Sequence, residues 1–160
     1  MQDKITLREM IKTDLVDVAD IEKQSTPFPW SLKHFEDCFK VGYPAWVMCD
    51  GEERIVSFVV IQKVIDELHI LNICVHRQHQ RQGLGKAMLN HIIQYAKQIG
   101  SVLILLEVRR SNNKAHSLYC LAGFNEMSVR RGYYPAEHGR EDAILMGLDL
   151  DLQSLFSANS

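Results

Sequence analysis

The stretch Gln80-Arg81-Gln82-Gly83-Leu84-Gly85-Lys86 is the part of the chain best suited to holding a charged ligand. Glycine at two of three successive positions lets backbone approach a ligand closely. A strong 3.6-residue apolar period begins at once, so the amides of the turn fall at the positive end of a helix, where phosphate oxygens bind. Arg77, Arg81 and Lys86 add positive charge near that mouth. The plain alternative is a structural turn carrying solvated cations. Neither familiar phosphate loop fits. The nucleotide-triphosphate loop needs an earlier glycine and a Ser or Thr where Ala87 stands, and the dinucleotide fingerprint needs a small residue where Met88 stands. The turn therefore suits a pyrophosphate-bearing ligand of another kind.

Glu107 stands near the end of the apolar run Val102 to Val108, among Leu105, Leu106 and Val108, where an ionisable group is a costly packing choice. A carboxylate there is a general-base candidate, and an ion pair with Arg109 or Arg110 is the alternative. Tyr119 follows twelve residues later. A strand-to-helix connection can aim its hydroxyl toward the same crevice, while packing against Leu118 and Leu121 is the other use of its ring. His76 and His79 are three apart but lack further ligands at metal-site spacing, so no metal is expected.

The elements that position these groups can be read from periodicity. Ile5 and Leu7 alternate as a first strand, and Asp14 is placed to cap a helix that ends before Pro27. Phe28-Pro29-Trp30 makes a rigid corner whose aromatics either pack or meet a substrate, and Ser31 caps a second helix through about Phe39. Strands follow at Tyr43 to Cys49, Ile55 to Val64 and Leu68 to Val75, with Asp50-Gly51 as a hairpin turn. Gly83 to Ile99 is a helix with Leu84, Ala87, Met88, His91, Ile92, Tyr95 and Ala96 on one face, stopped by Gly100. Val102 to Val108 reads as a buried central strand, Asn112 to Leu121 as a helix closed by Gly123. Phe124 to Arg131 and Ala143 to Leu150 read as antiparallel strands joined by a loop from Gly132 to Asp142. Strand, helix, strand, helix in the middle places a parallel pair inside a mixed central sheet flanked by helices, an α/β single domain over residues 1–153 with a frayed tail at 154–160.

Length and composition agree with one globular domain: 160 residues, 46% apolar, 24% charged. A formal charge of -2 argues against a general nucleic-acid or membrane coat, and no apolar run approaches the roughly 18 residues of a membrane span. Cys38, Cys49, Cys74 and Cys120 lack the paired spacing of a zinc site and follow no secretory leader, so they read as reduced, mostly buried residues of a cytoplasmic protein.

Gln80, Gly83 and Gly85 match the coenzyme A signature Gln/Arg-x-x-Gly-x-Gly/Ala, and with this order of elements the chain resembles the GCN5-related N-acetyltransferase family. The likeness continues through Phe28-Pro29-Trp30-Ser31, Leu106-Glu107-Val108-Arg109, Ser111-Asn112, Leu118-Tyr119, Tyr133-Tyr134-Pro135 and Gly139-Arg140-Glu141-Asp142-Ala143. It is nearest to the branch that acts on the N-terminal alanine of protein eighteen of the small ribosomal subunit. The resemblance implies the fold of that family and acetyl-CoA as cosubstrate. The segment Arg81, Gln82, Gly83, Leu84, Gly85 and Lys86 would hold its phosphates. The backbone of Ile73, Cys74 and Val75 would hold the pantetheine arm and acetyl carbonyl, and Asn112 would touch the coenzyme.

The same resemblance makes Glu107 the proton acceptor, directly or through water, and Tyr119 the proton donor to the coenzyme A sulfur. It implies the N-terminus of a ribosomal protein as the partner, with no nucleic acid and no membrane. An α-amine, of pKa near 7.7–8.0 against about 10.4 for lysine, is free at pH 7 roughly two to three powers of ten more often, which suits a lone carboxylate. Cys74 stands where close relatives have alanine, which argues against an acyl-cysteine route. His76 stands where Asp is usual and His116 where an aliphatic residue is common. Another peptide, lysine or small-amine acceptor fits the same residues, and a module that only senses acyl-CoA would keep the turn without needing Glu107 and Tyr119.

Overall fold

The computed structural model describes residues 4–151, which form β1 (Thr6–Glu9), α1 (Leu15–Ser25), α2 (Leu32–Val41), β2 (Ala45–Cys49), β3 (Ile55–Val64), β4 (Glu67–Val75), α3 (Leu84–Gln98), β5 (Leu103–Arg109), α4 (Asn113–Leu121), β6 (Asn125–Ala136) and β7 (Gly139–Asp149). The expected tail at 154–160 lies outside the described residues. The strands make one mixed seven-stranded sheet in the order β1-β2-β3-β4-β5-β7-β6, with β4 and β5 parallel. Contacts gather into two compact units, one holding the chain up to Gln62 together with Leu71–Met88, the other Lys63–Ile70 and the chain from Leu89 onward. No helix among the described residues is long and apolar enough to cross a membrane.

In the first unit, Ser31 caps α2 by accepting from His34 N–H at 3.1 Å, and Gly42 ends the helix at a φ of 92°, a conformation that favours glycine. Asp14 does not cap α1 as its position suggests. Its carboxylate accepts from Ile11 N–H at 2.8 Å and from both Arg8 guanidinium nitrogens, at 2.8 and 2.9 Å, because a short 3₁₀ turn at Lys12–Asp14 precedes the helix. The core joins Val18 and Ile21 of α1 to Phe35 of α2 and to Val47 and Phe58 of the strands. Phe35 stands edge-on to Phe58 with centroids 5.5 Å apart, and burying each such ring is worth about 1.5–3 kcal/mol.

Helix α3 buries Leu84, Met88, Leu89, Ile92, Ile93 and Ala96. The expected face is therefore rotated: Ala87 is exposed, His91 and Tyr95 are half-buried, and Leu89 and Ile93 replace them. Gly100 ends the helix at a φ of 77°.

In the second unit β5 alternates instead of being buried throughout. Ile104, Leu106 and Val108 are sealed, while Leu103, Leu105 and Glu107 are half-buried. The expected loop from Gly132 to Asp142 is also corrected, since β6 and β7 form one long hairpin that turns at Glu137 and His138. Gly132 and Pro135 look like loop residues in the sequence. Gly132, at a φ of 60°, sits in a register shift between Arg130 and Tyr134, and Pro135 lies on the edge strand of the sheet, where a missing N–H costs no ladder bond.

Candidate active site

In the first unit, β4 ends at Val75 and the chain turns through Arg77–His79 into α3. His76 N–H donates to Val56 O at 2.7 Å, His76 Nδ1 accepts from Gln78 N–H at 3.1 Å, and Gln80 Nε2 donates to Val75 O at 3.3 Å. The signature glutamine thus braces the turn against the strand that precedes it. Arg81 and Gly83 both take positive φ, 69° and 78°. That conformation is natural for Gly83 and costly for Arg81, and such strain concentrates where backbone amides are being aimed. The first bond of α3 is Ala87 N–H to Gly83 O at 3.0 Å, so the amides of Leu84, Gly85 and Lys86 precede the intrahelical ladder.

A Cβ on Gly83 would meet no heavy atom within 4 Å, so the mouth is open. Arg81 and Lys86 are exposed beside it, as are Gln82 and Gly83. Arg77 and Gln80 also line a cavity of about 410 Å³ with Gln24, Ser25, Thr26 and Pro27 from the end of α1. Open amides and two cations at a helix start fit the diphosphate of a coenzyme.

Ile73, Cys74 and Val75 are half-buried at the end of β4. Ser57 Oγ donates to Cys74 O at 2.8 Å. Burial pushes the Cys74 thiol up to about 11, which keeps it protonated near neutrality and argues against a nucleophilic role. All four cysteines are free, as expected, although Cys120 is exposed rather than buried. Trp30 stacks on His34 with centroids 3.9 Å apart and leans on Phe35, so its ring is largely committed to packing, whereas Phe28 keeps 37% of its surface exposed.

The second unit carries Glu107, Asn112 and Tyr119 on consecutive elements. Glu107 does not pair with Arg109 or Arg110, since those guanidinium groups bind Glu141 at 2.9 Å and Asp142 at 3.1 Å. Its partner is Arg130 of β6, at 3.4 Å. Arg130 in turn lies over the Tyr133 ring at 5.2 Å, and Arg109 over Tyr134 at 4.4 Å. Burial, then the Glu107 charge, pushes the Tyr134 phenol up to about 12. The sequence marks Arg130 as a strand residue and Tyr134 as part of the loop after it, and the structure sets both near Glu107 across the intervening β7.

Asn112 caps α4 by accepting from Ala115 N–H at 3.2 Å, so its expected contact with a coenzyme comes from an exposed helix start. Tyr119 is 7% exposed and packs against Phe124, 6.0 Å away, rather than against Leu121, which is 88% exposed. His116 bonds to Glu126 at 2.6 Å. Among the described residues no group of His, Cys, Asp or Glu is arranged to hold a metal ion.

A fold of this kind with an open amide mouth after β4 can be compared with known proteins. Residues 14–124 match the model of the Acetyltransferase (GNAT) family. The chain is 40% identical to the [Ribosomal protein bS18]-alanine N-acetyltransferase of Escherichia coli (strain K12), over 92% of this chain and 99% of that one. A crystal structure of the ribosomal-protein-S18-alanine N-acetyltransferase from Escherichia coli superposes with a TM-score of 0.86 at 40% identity, covering 91% and 94% of the two chains. Arabidopsis thaliana NAA60 in complex with acetyl-CoA shares the fold, with a TM-score of 0.84 at 20% identity and 92% and 99% coverage. The match over residues 14–124 and the 40% identity over 92% of the chain show that this chain belongs to the acetyltransferase (GNAT) family.

Proposed function

We propose that this protein transfers the acetyl group of acetyl-CoA to the N-terminal α-amine of alanine on ribosomal protein bS18. The observation that carries the substrate is the 40% identity over 92% of the chain to a relative bearing that activity in its name. The chemistry follows from this chain's own residues. The amides of Leu84, Gly85 and Lys86, with Arg81, Gln82 and Gly83 before them, hold the diphosphate of the coenzyme, and Asn112 contacts it further along. Backbone groups of Ile73, Cys74 and Val75 align the pantetheine arm and polarise the acetyl carbonyl.

The α-amine attacks that carbonyl carbon, forming the C–N bond, and the C–S bond breaks as the tetrahedral intermediate collapses. Glu107 takes the proton lost by nitrogen, directly or through water, and Tyr119 returns a proton to the departing thiolate. Arg130, paired with Glu107 at 3.4 Å, keeps that carboxylate oriented while it waits for the amine. We assign the reaction to the cytoplasm, and it calls for no metal, nucleic acid or membrane. The residues 1–153 serve as the transferase domain.

The test is a set of short peptides beginning with Ala, Ser or Met, plus an N-blocked peptide with an internal lysine, incubated with purified protein and acetyl-CoA. Acetyl located by mass on the α-nitrogen of the Ala peptide, at the highest rate of the set, supports the proposal. Modification confined to lysine contradicts it.

A further inference from the structure

Glu22 of α1 has no place in the chemistry above, yet it is a carboxylate 6% exposed, buried between α1 and β4. Both of its hydrogen bonds fall on one oxygen: Asn72 Nδ2 donates to Oε2 at 2.6 Å and Trp30 N–H donates to the same atom at 3.2 Å. Among the described residues Oε1 accepts no hydrogen bond, and no Lys or Arg pairs with the group. His34, which stacks on Trp30, favours its charged form, and the Glu22 charge in turn helps to hold the Cys74 thiol protonated. Burial accordingly pushes the Glu22 carboxyl above its usual range, against the two hydrogen bonds that favour the anion.

A buried carboxylate is kept when it is paired, and removing it from water without a cation is expensive. Its two donors also do something specific. They pin Oε2 to the Phe28-Pro29-Trp30 corner and to Asn72, the residue just before the Ile73–Val75 stretch, which leaves Oε1 as a fixed, single acceptor. We infer that Glu22 is the acceptor-binding carboxylate, whose Oε1 receives the α-ammonium of the incoming chain end before that group loses its proton. The inference rests on the α-amine reading given under the proposed function. It supplies the cation that the buried site lacks, and it explains recognition of a chain end, since an ammonium gives Oε1 a charge-assisted hydrogen bond that the uncharged N–H of an N-acetylated product does not match.

The experiment uses the full chain loaded with coenzyme A, which lacks the acetyl group and so prevents turnover. Binding is measured for a peptide beginning with alanine and for the same peptide with the α-amino group replaced by hydrogen. A charge-assisted hydrogen bond to a buried carboxylate predicts about 10- to 100-fold tighter binding of the amine form. Glu22→Gln, with its circular dichroism unchanged, is expected to bring the two peptides within about twofold of each other. Should Glu22→Gln fail to fold, Glu22→Asp replaces it and is expected to narrow the preference by several-fold while keeping its direction.

Equal binding of both peptides by the unaltered protein overturns the inference, as does a preference that survives in Glu22→Gln, or in Glu22→Asp at full size. Each of these leaves the α-amine acetylation reading intact if turnover with acetyl-CoA is still observed. Binding of neither peptide, with no turnover, removes the acceptor reading and this inference with it.

Discussion

Replacing Gly83 and Gly85 separately by alanine divides the coenzyme turn into its two physical parts. At Gly83 an added Cβ meets nothing within 4 Å, so the cost is purely conformational: the residue sits at a φ of 78°. Holding an L-residue there costs about 1–2 kcal/mol. If the turn keeps its shape, that cost appears as lost stability, lowering Tm by roughly 2–8 °C for a chain of this size while acetyl-CoA affinity stays close to its original value. If the turn relaxes instead, the same cost appears as about 5- to 30-fold weaker acetyl-CoA binding with Tm nearly preserved.

Gly85 is the opposite case. It lies in the first turn of α3 and has no positive φ, so Gly85→Ala improves helix propensity by about 0.5–1 kcal/mol and raises Tm by roughly 1–4 °C. If the backbone of this turn approaches the diphosphate as proposed, the added methyl group weakens acetyl-CoA binding by about tenfold or more. Calorimetric titration with acetyl-CoA and a thermal melt on each variant give all four numbers. A Gly85→Ala protein that is more stable and binds acetyl-CoA as tightly as before would refute the assignment of this helix start to the diphosphate.

Glu107→Gln is expected to lower kcat/KM for the alanine peptide by about 10²- to 10⁴-fold with acetyl-CoA affinity unchanged, as read by steady-state kinetics and titration. Tyr119→Phe is expected to slow turnover while cofactor binding is retained, and an unaltered rate would leave the ring in a packing role, as against Phe124. Alkylation followed by mass should label exposed Cys120 ahead of half-buried Cys74, whose thiol lies at about 11. In acid, Glu141 contributes through its folded-state pKa, which hydrogen bonds from Arg109 and then Ser111 hold below the ordinary 4.5. Its stabilisation is complete above that value and disappears as pH falls through the lower folded one, so Glu141→Gln should flatten the acid limb of a stability–pH curve measured by urea titration.

Much of this arrangement is legible in the sequence because the informative signals are local. The Gly83 turn, the Ser31 and Asn112 caps and the stops at Gly100 and Gly123 each depend on a few adjacent residues, and each is where periodicity puts it. What escapes is set by pairing between distant segments. Arg130 reaches Glu107 only because β7 lies between β5 and β6 in a particular register, with Glu107 opposite Leu145 and Arg130 opposite Ala143. Glu22 meets Asn72 across fifty residues of chain, and nothing in the spacing of α1 marks it as more than another surface acid. The hairpin of β6 and β7 was hidden for a different reason. An edge strand tolerates the glycine and proline that usually mark loops, so composition misleads wherever only one side of a strand is paired.

Full-length bS18 with a free N-terminal alanine, incubated with this protein and deuterated acetyl-CoA and then digested, reports α-amine transfer directly. One labelled acetyl is expected on the α-nitrogen of that alanine and none elsewhere in bS18, with the label abolished in Glu107→Gln. Label on lysine side chains alone, or an unlabelled N-terminus despite measurable acetyl-CoA binding, would contradict it.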